Sequence, residues 1–268
     1  MFTIKQSLKF LGALSVLAAS LFSFSGPAAA APLPAGWTCT GNCGTMGANG
    51  DVTASPQGGD YGYVSTYQGV GGLGLGLGSE TDGSRARTGL FSANAGDALN
   101  FYFNYVTSDG SGYADYAWVR LLDSTASNVA VLFTARTTPG GNTVPGSNMP
   151  AIDPGVTLIP ASTPIFAAES HWSALGSYSG GCYNGITAGC GNTHWIDMGY
   201  NIAAAGNYYL EFGAVNWKDT AYDSGLAFDG ILVAGKPIDN GTVPEPASLA
   251  LLGLGLAGLA AVRRRKMT

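Results

Sequence analysis

The segment from Leu99 to Tyr105 constrains the fold most, because Leu99, Phe101, Phe103 and Tyr105 alternate with Asn100, Tyr102 and Asn104. Successive strand side chains point to opposite faces, so this period of two marks a strand with one face in a core and the other toward water. No stretch of the central chain carries the period of an amphipathic helix; strand-like runs recur instead between turn residues. Ser108-Asp109-Gly110-Ser111-Gly112 turns the chain, a second strand runs from Asp115 to Leu122, and a third from Val129 to Arg136. These three read as a meander. From Thr137 to Pro164 the Pro and Gly content rises and the period is lost, which reads as a long surface loop. Later strands fall from Trp195 to Ile202, Tyr208 to Val215 and Leu226 to Val233, with weaker ones at 60–67, 72–78 and 84–91. The weak strand at 72–78 repeats Gly-Leu and would place three leucines on one face. Eight or nine antiparallel strands with long loops point to an all-β fold, a two-sheet sandwich of jelly-roll type; a closed barrel is the alternative.

Two apolar ends bracket this body. Residues 1–30 have a basic start (Lys5, Lys9), an apolar run from Phe10 to Phe24, and the small residues Ala28 and Ala30 before a cut at Ala31. That order is a signal peptide with its helix, a substrate for signal peptidase; a retained anchor is the alternative. Residues 241–268 contain Val243-Pro244-Glu245-Pro246, an apolar stretch from Ala247 to Val262, and Arg263-Arg264-Arg265-Lys266. Sixteen helical residues span about 24 Å against a hydrocarbon core of roughly 30 Å. Snorkelling arginines and bilayer thinning let so short a transmembrane helix hold. The basic end predicts a cytoplasmic C-terminus, which leaves the domain at 31–240 outside, on the side to which the signal exports it.

All seventeen acidic residues but only six of the twelve basic ones lie between these ends, so residues 31–246 carry a net charge of −11. Such a body repels nucleic acid and anionic lipid, and it suits divalent cations or neutral partners. The four cysteines form two close pairs, Cys39/Cys43 and Cys182/Cys190, which in an exported chain read as two local disulfides. Zinc is the rival, although the gap between Cys182 and Cys190 is poor metal spacing.

Asp229 interrupts the apolar run from Leu226 to Val233. A carboxylate in a buried strand needs a cation or several donors, so a structural Ca²⁺ is one reading. A hydrogen-bonded or arginine-paired Asp is the other. Tyr102 faces outward if Phe101 and Phe103 face the core, and Tyr116, Trp118 and Arg120 share one strand face, a candidate ligand face for sugar rings. Aromatics also favour strands for packing alone. Catalysis finds little footing: His171 and His194 each precede a tryptophan, and no Gly-x-Ser-x-Gly elbow or His-x-x-x-His pair is present. Gly69-x-Gly71-x-x-Gly74 leads into more Gly-Leu sequence rather than a helix, so it is no dinucleotide loop. A glycosidase needs only two carboxylates, and no pair is singled out among the acids.

The Pro-Glu-Pro at 244–246, the Gly/Leu-rich stretch and the arginine cluster together resemble the PEP-CTERM sorting signal. The resemblance implies recognition and cutting by an exosortase, and release of an inner-membrane-anchored precursor to the cell surface or extracellular matrix. The body resembles the jelly-roll domains found before such tails, called choice-of-anchor domains, at Phe101–Asp109, Asp115–Val119 and Leu226–Ile231. In related sandwich modules a last-strand Asp such as Asp229 ligates Ca²⁺. The expected function is a non-enzymatic surface or matrix module associated with exopolysaccharide; a secreted polysaccharide hydrolase is the alternative.

Overall fold

The computed structural model describes residues 30–138 and 140–238. The signal peptide, the sorting motif from Val243 to Pro246 and the arginines Arg263, Arg264 and Arg265 all lie outside the described residues, as do both expected helices. Among the described residues no helix is long and apolar enough to cross a membrane.

Eight strands build two antiparallel sheets: β1 (Tyr61–Ser65), β2 (Glu80–Arg87), β3 (Ala98–Thr107), β4 (Tyr116–Asp123), β5 (Asn128–Arg136), β6 (Ile196–Asn201), β7 (Gly206–Trp217) and β8 (Ser224–Val233). The first sheet runs β6-β3-β8-β1 and the second β2-β7-β4-β5. Chain-consecutive strands mostly fall in opposite sheets, which is the jelly-roll arrangement of two Greek keys. Two separate sheets replace the closed-barrel alternative. Shorter strands extend the edges: Asn42–Met46 beside β1, Val156–Ile159 beside β6, and Thr38–Thr40 beside β2.

The alternation holds from Leu99 to Phe103 and then lapses: Leu99, Phe101, Phe103 and Tyr105 are fully buried, Asn100 is exposed and Tyr102 half-buried, but Asn104, expected to face outward, is buried as well, under Thr193. From the other sheet Val119, Leu121, Phe133 and Phe212 meet them. Aromatic stacking joins the layers, with Phe212 and Phe228 at 3.9 Å and 16° and Phe101 edge-on to Phe212 at 5.6 Å. Burying Phe101, Phe103, Phe212 and Phe228 stabilises the sandwich by about 2–3 kcal/mol each.

Four expectations change. The first three strands are not a meander: β3 lies in one sheet and the β4–β5 hairpin in the other. The segment from Ser108 to Asp115 therefore crosses the top of the sandwich, which local pattern cannot reveal. The Gly-Leu run at 72–78 is a loop, since Gly72, Gly74, Gly76 and Gly78 all take φ between +77° and +122°. Every second residue is thereby turned out of the extended region, and no ladder can form. The strand expected at 84–91 begins earlier, at Glu80, and stops at Arg87, because pairing with β7 reaches back to Trp217 opposite Glu80. Within the 137–164 loop, Val156–Ile159 pairs with β6 and buries Leu158.

Both cysteine pairs are local disulfides, with Cα separations of 5.9 Å for Cys39–Cys43 and 5.8 Å for Cys182–Cys190. Cys39 sits in Thr38–Thr40 of the second sheet and Cys43 in Asn42–Met46 of the first, so that bridge joins the two layers.

Candidate functional site

Tyr116, Trp118 and Arg120 do share the outer face of the second sheet, but they offer no ligand face. Tyr116 and Trp118 are 0 % and 1 % exposed. Leu75 and Leu77 of the Gly-Leu loop, together with Met149, pack over them. Glu80 pins that loop: it accepts the Leu77 N–H, the Gly78 N–H at 2.7 Å and the Tyr116 hydroxyl at 2.7 Å. Burial would raise the Glu80 carboxyl, yet these donors outweigh it and bring it down to about 2. Trp118 lies flat over Gly213, where any Cβ would meet its indole ring, so only glycine fits. Arg120 is occupied as well. It bonds the fully buried Glu211, Nε at 3.1 Å, and Arg87 bonds the same carboxylate at 2.9 Å with Arg85 at 3.6 Å. Burial pushes the Glu211 carboxyl up, but the bonds from Arg87 and Arg120 and the charges of Arg120 and Arg85 bring it below its ordinary value.

Tyr102 lies on the other sheet, opposite Asp229 in the β3–β8 pairing. Asp229 stands at a bulge in β8, where Gly230 takes a φ of +66°. Burial raises the Asp229 carboxyl, against hydrogen bonds from Ser55 and the Gly230 N–H, and Oδ2 has no partner. Calcium takes six to eight oxygens. Among the described residues no three His, Cys, Asp or Glu side chains converge, so beyond the Asp229 carboxylate a calcium ion here would have to draw on carbonyl oxygens. Tyr102, the buried Tyr116 and Trp118, and the half-buried Arg120 do not form one surface.

An open polar groove lies at the end of the sandwich where β3, β5 and β7 stop. Trp217 ends β7 and Arg136 ends β5. Between them a groove of about 470 Å³ opens, lined also by Ser111, Thr138, Asn148 and Lys218. The Arg136 guanidinium stacks on Trp217 at 4.2 Å and bonds the Ala114 carbonyl through Nε at 2.9 Å. Lys218 donates to the Gly112 carbonyl at 2.9 Å and sits 5.7 Å from the Tyr113 ring.

Beside the groove four tyrosine rings meet. Tyr113 and Tyr183 are edge-on at 5.2 Å, Tyr183 and Tyr222 at 5.2 Å, and Tyr178 and Tyr222 are tilted at 4.8 Å. All four are partly exposed and all come from loops or 3-10 turns. The Cys182–Cys190 bridge closes the loop that carries Tyr183, and the Tyr183 N–H bonds the Ser108 carbonyl at 3.0 Å.

A buried polar network supports this end. Asp115 accepts the Trp217 N–H and the Ser224 hydroxyl, at 2.8 and 2.7 Å. Ser224 also bonds Thr107 at 2.7 Å, and Thr66 bonds Asp223 at 2.8 Å. Burial raises Asp115 well above its ordinary range, with the charges of Asp109 and Asp219 adding to it. Burial likewise brings Asp109 up to about 7 and Asp223 to about 6. Asp109 and Asp115 are each 2 % exposed, and no Asp or Glu is among the residues lining the groove. His171 is exposed and His194 packs on Phe166 at 4.4 Å; neither adjoins the groove.

Residues 242–266 match the PEP-CTERM protein-sorting motif. The motif implies an exported protein with a C-terminal membrane-anchoring region before exosortase-dependent processing. No curated protein matches the chain. Among solved structures, one cleaved adhesin domain of Lys-gingipain from Porphyromonas gingivalis is 13 % identical, covering 79 % of this chain and all of that one, with a TM-score of 0.36. A second such domain is 12 % identical over 75 % of this chain and 92 % of that one, with a TM-score of 0.33. An arabinose-bound α-L-arabinofuranosidase is 10 % identical over 74 % of this chain and 23 % of that one, at 0.34.

Proposed function

We propose that the exported domain is a surface or matrix protein that binds polysaccharide at the loop end of its sandwich and does not cleave it. The carrying observation is the group of four partly exposed tyrosine rings beside an open polar groove. Strand propensity does not account for aromatics in loops. Tyrosine combines a flat apolar ring with a polar tip at low entropic cost, which suits sugar rings. The Cys182–Cys190 bridge and the Tyr183 bond to Ser108 hold the platform in place before any ligand arrives, which reduces the cost of binding. A glycosidase uses two carboxylates flanking the scissile bond. Asp109 and Asp115 are instead buried behind the groove, the half-buried Asp219 accepts the Ala221 N–H, and no Asp or Glu lines the groove itself, which favours binding over hydrolysis.

A glycan array with the full-length protein in detergent tests this, beside a reducing-sugar assay on every polymer retained. Retention without sugar release is expected. Exchanging Tyr113 and Tyr183 together for Ala should weaken retention about tenfold or more, since losing one aromatic anchor is worth on the order of 1–2 kcal/mol. Retention unchanged in that variant would move the site elsewhere, and sugar release would restore the hydrolase reading.

A further inference from the structure

The groove beside the tyrosines carries the sign opposite to that of the domain around it. Among the described residues every ion pair ends on Glu211, which takes up Arg85, Arg87 and Arg120. Of the three remaining basic side chains, Lys236 lies in the edge strand Lys236–Pro237, while Arg136 and Lys218 both line the groove. Neither has a carboxylate in contact. Among the described residues the Arg136 guanidinium hydrogen-bonds through Nε alone, to the Ala114 carbonyl, which leaves Nη1 and Nη2 for a ligand. Its nearest acids are already engaged, Asp115 by Trp217 and Ser224, and Glu80 by Leu77, Gly78 and Tyr116.

Arg136 is 8 % exposed and has no carboxylate in contact, which is costly for a buried cation; with the exposed Lys218 at the same groove it suits an anion. A guanidinium with both Nη groups free presents the fork that matches a carboxylate. Stacking on Trp217 holds its plane fixed, so little freedom is lost when the fork is filled. The net charge of −11 argued for neutral or cationic partners. Exposed charges beyond about 8 Å are nevertheless screened at physiological salt, so the groove is governed by the groups that line it.

We propose that the groove takes an anionic polysaccharide, with a hexuronate carboxylate bound by Arg136 and Lys218 and hydroxyls of the same polymer bound by Ser111, Thr138 and Asn148. This rests on the polysaccharide reading of the loop end and names its substrate class. The tyrosines supply contact with the rings, and the cations select the acidic ones.

Affinities of the full-length protein in detergent for polygalacturonate and alginate, each beside its carboxyl-reduced neutral form, test the proposal. Binding to at least one acidic polymer is expected, with at least tenfold preference over its reduced form and progressive weakening between 50 and 500 mM NaCl, values on the order of those that separate screened from unscreened charges. Lys218→Gln, at an exposed side chain, should weaken the acidic polymer roughly fivefold and leave the neutral one unchanged. Arg136→Gln should weaken it by about a further tenfold, while Arg136→Lys recovers part of the loss. If Arg136→Gln fails to fold, the Lys218 variant and the salt series decide the matter alone. Equal affinity for acidic and reduced polymers overturns the anionic assignment and leaves the polysaccharide reading standing. Binding to neither overturns both.

Discussion

Glu211 and Asp115 are both carboxylic acids withdrawn from water, at 0 % and 2 % exposure, yet their surroundings drive them in opposite directions. Glu211 stands on the outer face of the second sheet, where β2 and β4 flank β7 and deliver Arg87 and Arg120 directly opposite it. Its charge is compensated, and the carboxyl is held below its ordinary value. Asp115 stands at the loop end with Asp109 and Asp219 for neighbours and hydrogen-bond donors but no contacting cation, and its carboxyl is raised. Burial alone therefore does not decide a titration; the pairing of strands does in one case and the convergence of loops in the other. In the first region the three arginines cover the carboxylate. The second keeps raised carboxyls behind an open groove lined by two cations without ion pairs, an arrangement more often met at binding sites than in closed cores.

The largest effect should follow from breaking the closed region. Glu211→Ala would leave Arg85, Arg87 and Arg120 facing one another without an anion. The expected cost is about 3–5 kcal/mol in chemical denaturation. A loss below about 1 kcal/mol would mean that the cluster is solvated and that the contrast between the regions is wrong.

A smaller effect separates the two regions by pH. Asp109 is raised in the folded state to about 7, so its contribution is fully present below its ordinary value of 3.8 and is lost as pH rises toward 7. Asp115 and Asp223, both raised, act in the same direction. Glu211 works oppositely: its folded value is lowered, so its contribution is present above 4.5 and is lost as pH falls. Wild type should lose on the order of 2 kcal/mol between pH 5 and 8 from the loop end. Asp109→Asn should flatten that slope in a pH series of denaturation curves, whereas Glu211→Gln should leave the alkaline side unchanged and remove the acid-side loss. An unaltered slope in Asp109→Asn would place the source elsewhere.

The smallest effect concerns Asp229. With Ser55 and the Gly230 N–H as its donors, EGTA should leave the melting temperature unchanged, and Asp229→Asn, whose amide oxygen still accepts from both, should change stability by less than about 1 kcal/mol. A fall of several degrees with chelator, reversed by Ca²⁺ and absent in the variant, would return a metal to β8 and add a third kind of buried carboxylate to the comparison.

Most strands were legible in the chain because alternation is local: Leu99, Phe101, Phe103 and Tyr105 declare a half-buried strand without reference to any partner. The disulfides were legible for a similar reason, since each pair is close enough in sequence to meet whatever the rest of the chain does. Tyr116 and Trp118 misled because a strand pattern says which residues share a face but not what lies over that face. Gly72 to Gly78 misled because a Gly-Leu repeat suits a strand as readily as a loop of alternating handedness. The tyrosine platform did leave a signal, aromatics in Gly- and Ser-rich loops at 113, 178, 183 and 222, but their meeting depends on three loops arriving at one end.

The sequence by itself determined the all-β class, the strands that alternate, the two local disulfides and the sorting motif at 242–266, because each is written in neighbouring residues. Only the tertiary structure decided that β3 and β4 part into opposite sheets, that Glu211 gathers three arginines, and that Arg136 and Lys218 are left unpaired beside Trp217. Those outcomes depend on which distant strands pair and which loops converge. Side-chain burial and charge compensation are set by those long-range contacts, and a local pattern of residues does not contain them.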